Sequence, residues 1–178
     1  MNATKMDRKQ VGAWALFDFA NSVYPAVIVT AVFSAYYTGG VVGDDAGRGT
    51  QMWGWGLSAS AIIVALSAPL LGAIADRGGA RKRFMLFYTG VCILGVLLFT
   101  TVQPGMAWRG LFLFIVANVG FESALVFYNS FLPDIAPPEQ QGRVSGLGFG
   151  VGYAGSAIGL ILALPLALND RLDLVWVM

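Results

Sequence analysis

The chain has 178 residues, 57% of them hydrophobic and only 12% charged, with a mean hydropathy of +0.69. A soluble domain carries about 25% charged residues, and one of this length cannot hide so much apolar surface in a single core, so the natural solvent is a lipid bilayer. The net charge of +1 excludes a strongly basic nucleic-acid surface; the lack of His and the single Cys exclude most metal sites, disulfides and Cys–His nucleophile pairs.

A spanning helix needs about 20 mostly apolar residues. Five such runs follow a short polar N-terminus (1–10): 11–37, 52–75, 84–102, 110–132 and 144–168. A sixth apolar run begins at 174. The runs are too long for strands and lack period-two alternation, so the expected fold is an all-α membrane protein. The first run is too long for a cleaved signal peptide, contains an acid and lacks a small-residue cleavage site, so it reads as an anchor.

The first run contains "WALFDFANSVYP", in which Asp18, Asn21, Ser22 and Pro25 fall at i, i+3, i+4 and i+7. That spacing places them on one helical face. Pro25 lacks an N–H and frees a carbonyl one turn back, near Asn21, which bends a helix. The second run ends in "GAIADRGGARKRF", where Gly72, Asp76, Arg77 and Gly79 precede the basic triplet Arg81, Lys82 and Arg83. The plain reading of this link is a hairpin obeying the positive-inside rule. The third run holds Cys92, which reads as a packing residue.

The fourth run carries a second polar stripe, Asn118, Glu122 and Asn129, stepping by four and seven. Asp18 and Glu122 are the only acids within the spanning runs. A charge at mid-bilayer costs about 2.5–3.5 kcal/mol on insertion scales, so such residues face a protein interior or a wet cavity. At a rise of about 1.5 Å per residue, Asp18 lies about 10 Å and Glu122 about 15 Å from the same membrane face. Asp18 has two open readings, a helix contact near the interface or a functional carboxylate. Glu122 is deeper, with no basic residue near it in its run, and reads as a proton or cation site. Burial disfavours the charged form of a carboxyl, which lets such a group exchange protons near neutral pH. Tyr24, Tyr128 and Asn129 add hydrogen-bonding capacity for a solute, although tyrosines near membrane interfaces are common anchors.

In the fifth run Gly148, Gly152, Gly155 and Gly159 step by four, three and four, a stripe of bare backbone that lets membrane helices approach closely. Gly150, Gly152 and Gly155 also spell G-x-G-x-x-G, with Asp170 twenty residues past Gly150. A nucleotide fingerprint needs a preceding strand and a βαβ unit, and neither is expected here.

Lys and Arg set the orientation. The N-terminus and the second and fourth links hold eight of the eleven, and the first, third and fifth links hold three. The N-terminus is therefore expected in the cytoplasm.

The ordered spacing G-x-x-x-D-R-x-G with its basic triplet resembles the loop between the second and third helices of major facilitator superfamily transporters, with Ala80 intervening before Arg81. "FDFANSVYP" and the stretch 127–156 are similar to the vacuole-effluxer-like branch of that superfamily. The resemblance implies the N-terminal half of a twelve-helix fold whose C-terminal six-helix half lies elsewhere. It implies that the first and fourth helices line a central cavity, so that Asp18 and Glu122 share one wall. The loop motif would hold one state of an alternating-access cycle.

The function so implied is secondary active transport of a small solute, coupled to protons or another cation. Amino acids are the cargo of the branch's fungal members. The expected location is the inner membrane of a bacterium or the vacuolar membrane of a fungus. An intramembrane enzyme is the first alternative, weakened by the missing His and the apolar Cys. A membrane scaffold or an assembly of half-transporters is the second, weakened by two polar stripes it would not need. No cofactor and no nucleic-acid partner is expected.

Overall fold

The computed structural model describes residues 7–43, 46–77, 79–169 and 171–177, the side chains of Asp76 and Arg77 excepted. The beginning of the polar N-terminus, the Asp76 and Arg77 side chains of the loop motif, and Asp170 lie outside the described residues. Five helices are long and apolar enough to cross a membrane: α1 Arg8–Val42, α2 Arg48–Ala75 (its helix continuing to Arg77), α3 Arg81–Thr101, α4 Ala107–Ile135 and α5 Pro138–Leu168. A short helix, α6 Leu172–Val175, follows. Among the described residues there are no strands. The chain is an all-α, multi-pass membrane protein.

Each helix begins before its apolar stretch. Asp7 caps α1, its carboxylate accepting from the Lys9 N–H at 2.9 Å, so the helix takes in Arg8, Lys9 and Gln10 before the oily run begins. Pro138 opens α5, where a missing N–H costs nothing and a fixed φ suits the first turn. The α1 helix turns irregular where the sequence provides the cause. Its α-helical part ends at Asn21, and a seven-residue π-helix runs Pro25–Ala31. Pro25 offers no N–H to the Asn21 carbonyl, so the ladder must shift register. The Thr30 hydroxyl then donates to the Pro25 carbonyl at 2.8 Å, and the Val32 N–H reaches back five residues to Val27. A second π-stretch, Tyr36–Val42, ends at Gly43, whose φ of 74° reverses the chain.

The helices pair in three seams. The most extensive runs between α3 and α4; α5 lies along α1, and α2 along α4. The α4 helix is the most enclosed, with 61% of its most apolar window buried against 6% for α2. The face of α2 bearing Ile62, Leu66, Leu70 and Ile74 is left uncovered, as a lipid-facing or partner-facing surface would be.

One end of the bundle, where α1 finishes, is closed by aromatic side chains. Phe33 stacks on Phe99 at 3.7 Å between ring centroids, Trp53 lies on Phe114 at 3.9 Å, and Trp176 meets Phe33 edge-on at 5.5 Å. Tyr36 and Tyr37 donate to the Val102 and Ala107 carbonyls at 2.8 and 3.0 Å, tying α1 to the link between α3 and α4. The opposite end, where α1 begins, joins α1 to α4 through Trp14, whose indole N–H donates to the Tyr128 carbonyl at 3.2 Å.

Candidate functional site

The polar residues of α1 divide among its neighbours α5, α3 and α4. Asp18 and Ser22 turn toward α5, where their side-chain oxygens lie against Gly152. Asn21 and Tyr24 turn toward α3, lining a cavity of about 480 Å³ with Thr89, Cys92 and the end of the chain at Val175 and Trp176. The cavity lining is largely apolar and includes neither carboxylate.

The α4 stripe is met from the Tyr24 side. The buried Tyr24 hydroxyl donates to the buried Asn118 Oδ1 at 3.4 Å, and the Tyr24 ring stacks on Phe121 at 4.8 Å. Glu122 stands half-buried one turn from Asn118, within electrostatic reach of the Tyr24 hydroxyl. Neither Glu122 nor Asp18 has its carboxylate in a hydrogen bond or ion pair with a described residue. Asn129 is exposed at the end of α4. Tyr128 is buried and stacked between Trp14 at 4.4 Å and Phe17 at 5.2 Å, so its ring is an aromatic clamp between α1 and α4. Its hydroxyl finds no hydrogen-bond partner among the described residues, and the Ser123 hydroxyl is in the same position.

The two acids thus occupy separate stations. Asp18 stands in the α1–α5 seam, and Glu122 beside the Tyr24–Asn118 bridge between α1 and α4. Among the described residues, Asp18, Ser22 and Gly152 form one group, and Tyr24, Asn118 and Glu122 another.

The four glycines of the stripe, Gly148, Gly152, Gly155 and Gly159, all face α1. A side chain added at Gly148 would strike the Trp14 ring, one at Gly155 the Phe19 carbonyl, and one at Gly159 the Val23 side chain. The segment is helical from Pro138 to Leu168 with no strand before it among the described residues, so the G-x-G-x-x-G spelling is a packing pattern.

At the bundle end where α1 begins, the α2–α3 link meets the end of α4. Arg81 donates to Asp134 Oδ2 at 2.6 Å and to the Ser130 carbonyl at 2.9 Å, with its guanidinium 5.3 Å above the Phe131 ring. The turn before it passes through Gly79 at φ 60°, a left-handed conformation that suits glycine. Lys82 and Arg83 are exposed beside it, and Gly72 has open space where a side chain would begin. Sequence reasoning missed Asp134 and Ser130 as partners of this loop; the cue was an acid lying in a link on the same side of the membrane. It also missed Trp14 and Phe17 as the clamp on Tyr128.

A bundle of apolar helices, with carboxylates lodged between them and a basic loop ion-paired to α4 at one end, defines a polytopic membrane protein. The model of the Major Facilitator Superfamily matches residues 5–160, and the chain belongs to that family. It is 37% identical over 170 residues to "Uncharacterized MFS-type transporter YxiO" of Bacillus subtilis, covering 94% of this chain and 40% of that protein. It is 36% identical over 141 residues to "Multidrug efflux pump Tap" of Mycolicibacterium fortuitum, covering 78% and 31%. It is 34% identical over 84 residues to "Autophagy-related protein 22" of Yarrowia lipolytica, covering 47% and 14%. The chain therefore spans well under half the length of these relatives. No solved structure matches it.

Proposed function

We propose that this chain is the N-terminal half of a secondary active transporter that moves a small organic solute by alternating access, coupled to protons or another small cation. The observation that carries the proposal is the pair of carboxylates, Asp18 and Glu122, inside spanning helices and without a charged partner among the described residues. Retaining such groups costs insertion energy, and intramembrane acids mark ion and substrate paths. Glu122 is the coupling site and Asp18 a second carrier or gate. Tyr24 and Asn118 hold α1 against α4 beside Glu122, and Asn21 presents an amide to the neighbouring cavity.

The Arg81–Asp134 contact, with Gly79 shaping the turn, serves as a latch for one state of the cycle, and its breaking would accompany the opposite opening. The Lys and Arg bias supports a cytoplasmic side for this latch and the N-terminus. The other six-helix half lies in the remainder of the full-length protein, a reading supported by the greater length of the relatives. A transporter of this kind has no need of a nucleophile or metal.

For the cargo, the vacuole-effluxer-like resemblance favours amino acids, and the name of the Mycolicibacterium relative adds drugs as a class to screen. The test is a solute screen on the full-length protein in proteoliposomes, with and without an imposed pH gradient. Accumulation of one class of solute that collapses with the gradient is expected. Solute movement indifferent to every ion gradient would overturn the coupling, and no solute movement at all would overturn the transporter reading.

A further inference from the structure

Asp18 and Ser22, one turn apart on α1, converge on a single point of α5. A side chain at Gly152 would begin 2.6 Å from Asp18 Oδ2 and 2.7 Å from Ser22 Oγ. Real carbon–oxygen contacts do not come so close, so the two oxygens occupy the space that any other residue at 152 would claim. The other glycines of the stripe meet an indole ring, a backbone carbonyl and an aliphatic side chain. Only at Gly152 does the missing side chain make room for an ionisable group.

The surroundings of that group are sparse. Between Val144 and Leu168 the α5 helix brings no charged residue, and its one titratable side chain, Tyr153, is exposed. From α4 the Tyr128 hydroxyl, buried and unpartnered among the described residues, lies within electrostatic reach of Asp18. The position of the carboxylate within the seam therefore fixes what it faces: bare helix backbone on one side and a phenol on the other.

We propose that Gly152 is a positioning residue for the Asp18 carboxylate, keeping it lodged in the α1–α5 seam at the depth where it exchanges its ion. The inference rests on Asp18 being a carrier in the transport cycle. A methyl group at 152 would press on the free ends of two side chains and not on backbone. The helices would keep their contact while the carboxylate rotated out toward Tyr128 or toward solvent. Its ion affinity would change with its surroundings.

The test uses the full-length protein and follows solute uptake against pH in wild type, Gly152→Ala, Gly148→Ala, Asp18→Asn and the Gly152→Ala/Asp18→Asn pair. Gly152→Ala is expected to move the midpoint of the pH profile by about half a unit or more. Gly148→Ala, which strikes Trp14, is expected to lower thermal stability without moving the midpoint. In the Asp18→Asn background the additional alanine is expected to have no further effect on the profile, because the group it acts through is gone. If Gly152→Ala does not accumulate in the membrane, adding Ser22→Ala removes one of the two contacts and carries the same comparison.

An unmoved midpoint in Gly152→Ala, with Asp18→Asn altering the profile, overturns the positioning role alone. An Asp18→Asn profile identical to wild type overturns the carrier role of Asp18, and the positioning role with it.

Discussion

Two seams of this bundle are built on glycine, and they use it differently. Between α3 and α4, Gly120 lies so close to α3 that a side chain would begin 2.7 Å from the Cys92 nitrogen and 2.8 Å from the Tyr88 carbonyl oxygen. Gly95 meets Ala117 in the same seam, its side chain beginning 2.8 Å from the alanine Cβ. These are contacts of backbone or near-backbone atoms, made by removing side chains from both surfaces. Neither of these two glycines meets an acid. Between α1 and α5 the contacting glycines all stand on α5; α1 answers three of them with side chains, Trp14, Asp18 with Ser22, and Val23, and only Gly155 with backbone, the Phe19 carbonyl.

The first arrangement gives a rigid pair, because backbone cannot yield. The second, pinned by backbone only at Gly155, gives a groove into which α1 lays a polar residue, along a helix whose hydrogen-bond ladder is interrupted at Pro25 and widened beyond it. Such π-turns occur disproportionately at functional sites. The contrast suggests that α3–α4 is the frame of the half-bundle and α1–α5 its working contact.

Matched substitutions should break the comparison if it is wrong. Gly120→Ala is expected to cost the most, toward the upper end of the about 1–3 kcal/mol typical of overpacking, since its new methyl meets fixed backbone. Gly152→Ala should fall toward the lower end, since side-chain ends can move aside. Thermal unfolding of the full-length protein in detergent ranks the two, and equal losses would erase the distinction between the seams.

Next in size is Tyr24→Phe, which cuts the bond to Asn118 and leaves a buried amide oxygen short of a donor. Interhelical hydrogen bonds in membranes contribute about 0.6 kcal/mol on average and up to about 1.7 kcal/mol, so a loss in that range is expected by the same assay. Asp134→Asn should have the smallest effect on stability, well under about 1 kcal/mol, because the Arg81 pair is partly exposed. Its effect should appear instead in conformation. The accessibility of a cysteine introduced into the α2–α3 loop should rise if the pair is a latch, and stay level if it is an ordinary surface contact.

The helices were legible because lipid imposes a length and a composition on anything that crosses it. Their ends were less so. Arg8, Lys9 and Gln10 are polar yet helical, since the Asp7 cap rather than hydropathy decides where α1 starts. Within the site, the spacing of Asp18, Asn21 and Ser22 put all three on one face of α1. It did not reveal that the face is shared between two neighbours. Residues three apart diverge by about 60° around a helix, enough for Asp18 to enter the α5 seam while Asn21 enters the cavity beside α3.

The expectation of one wall common to both carboxylates came from the family resemblance, and the described geometry gives each its own surroundings. Arg81 and Asp134 are 53 residues apart, and no local pattern connects them. Only the folding of α3 back along α4 brings them together.

The central claim is that Glu122 couples the movement of solute to an ion. It is tested most directly by measuring two activities of the full-length Glu122→Gln protein in proteoliposomes: solute exchange at equal pH, and accumulation driven by a pH gradient. Persistence of exchange with at least a tenfold loss of driven accumulation is the expected result. Accumulation at the wild-type level would contradict the account.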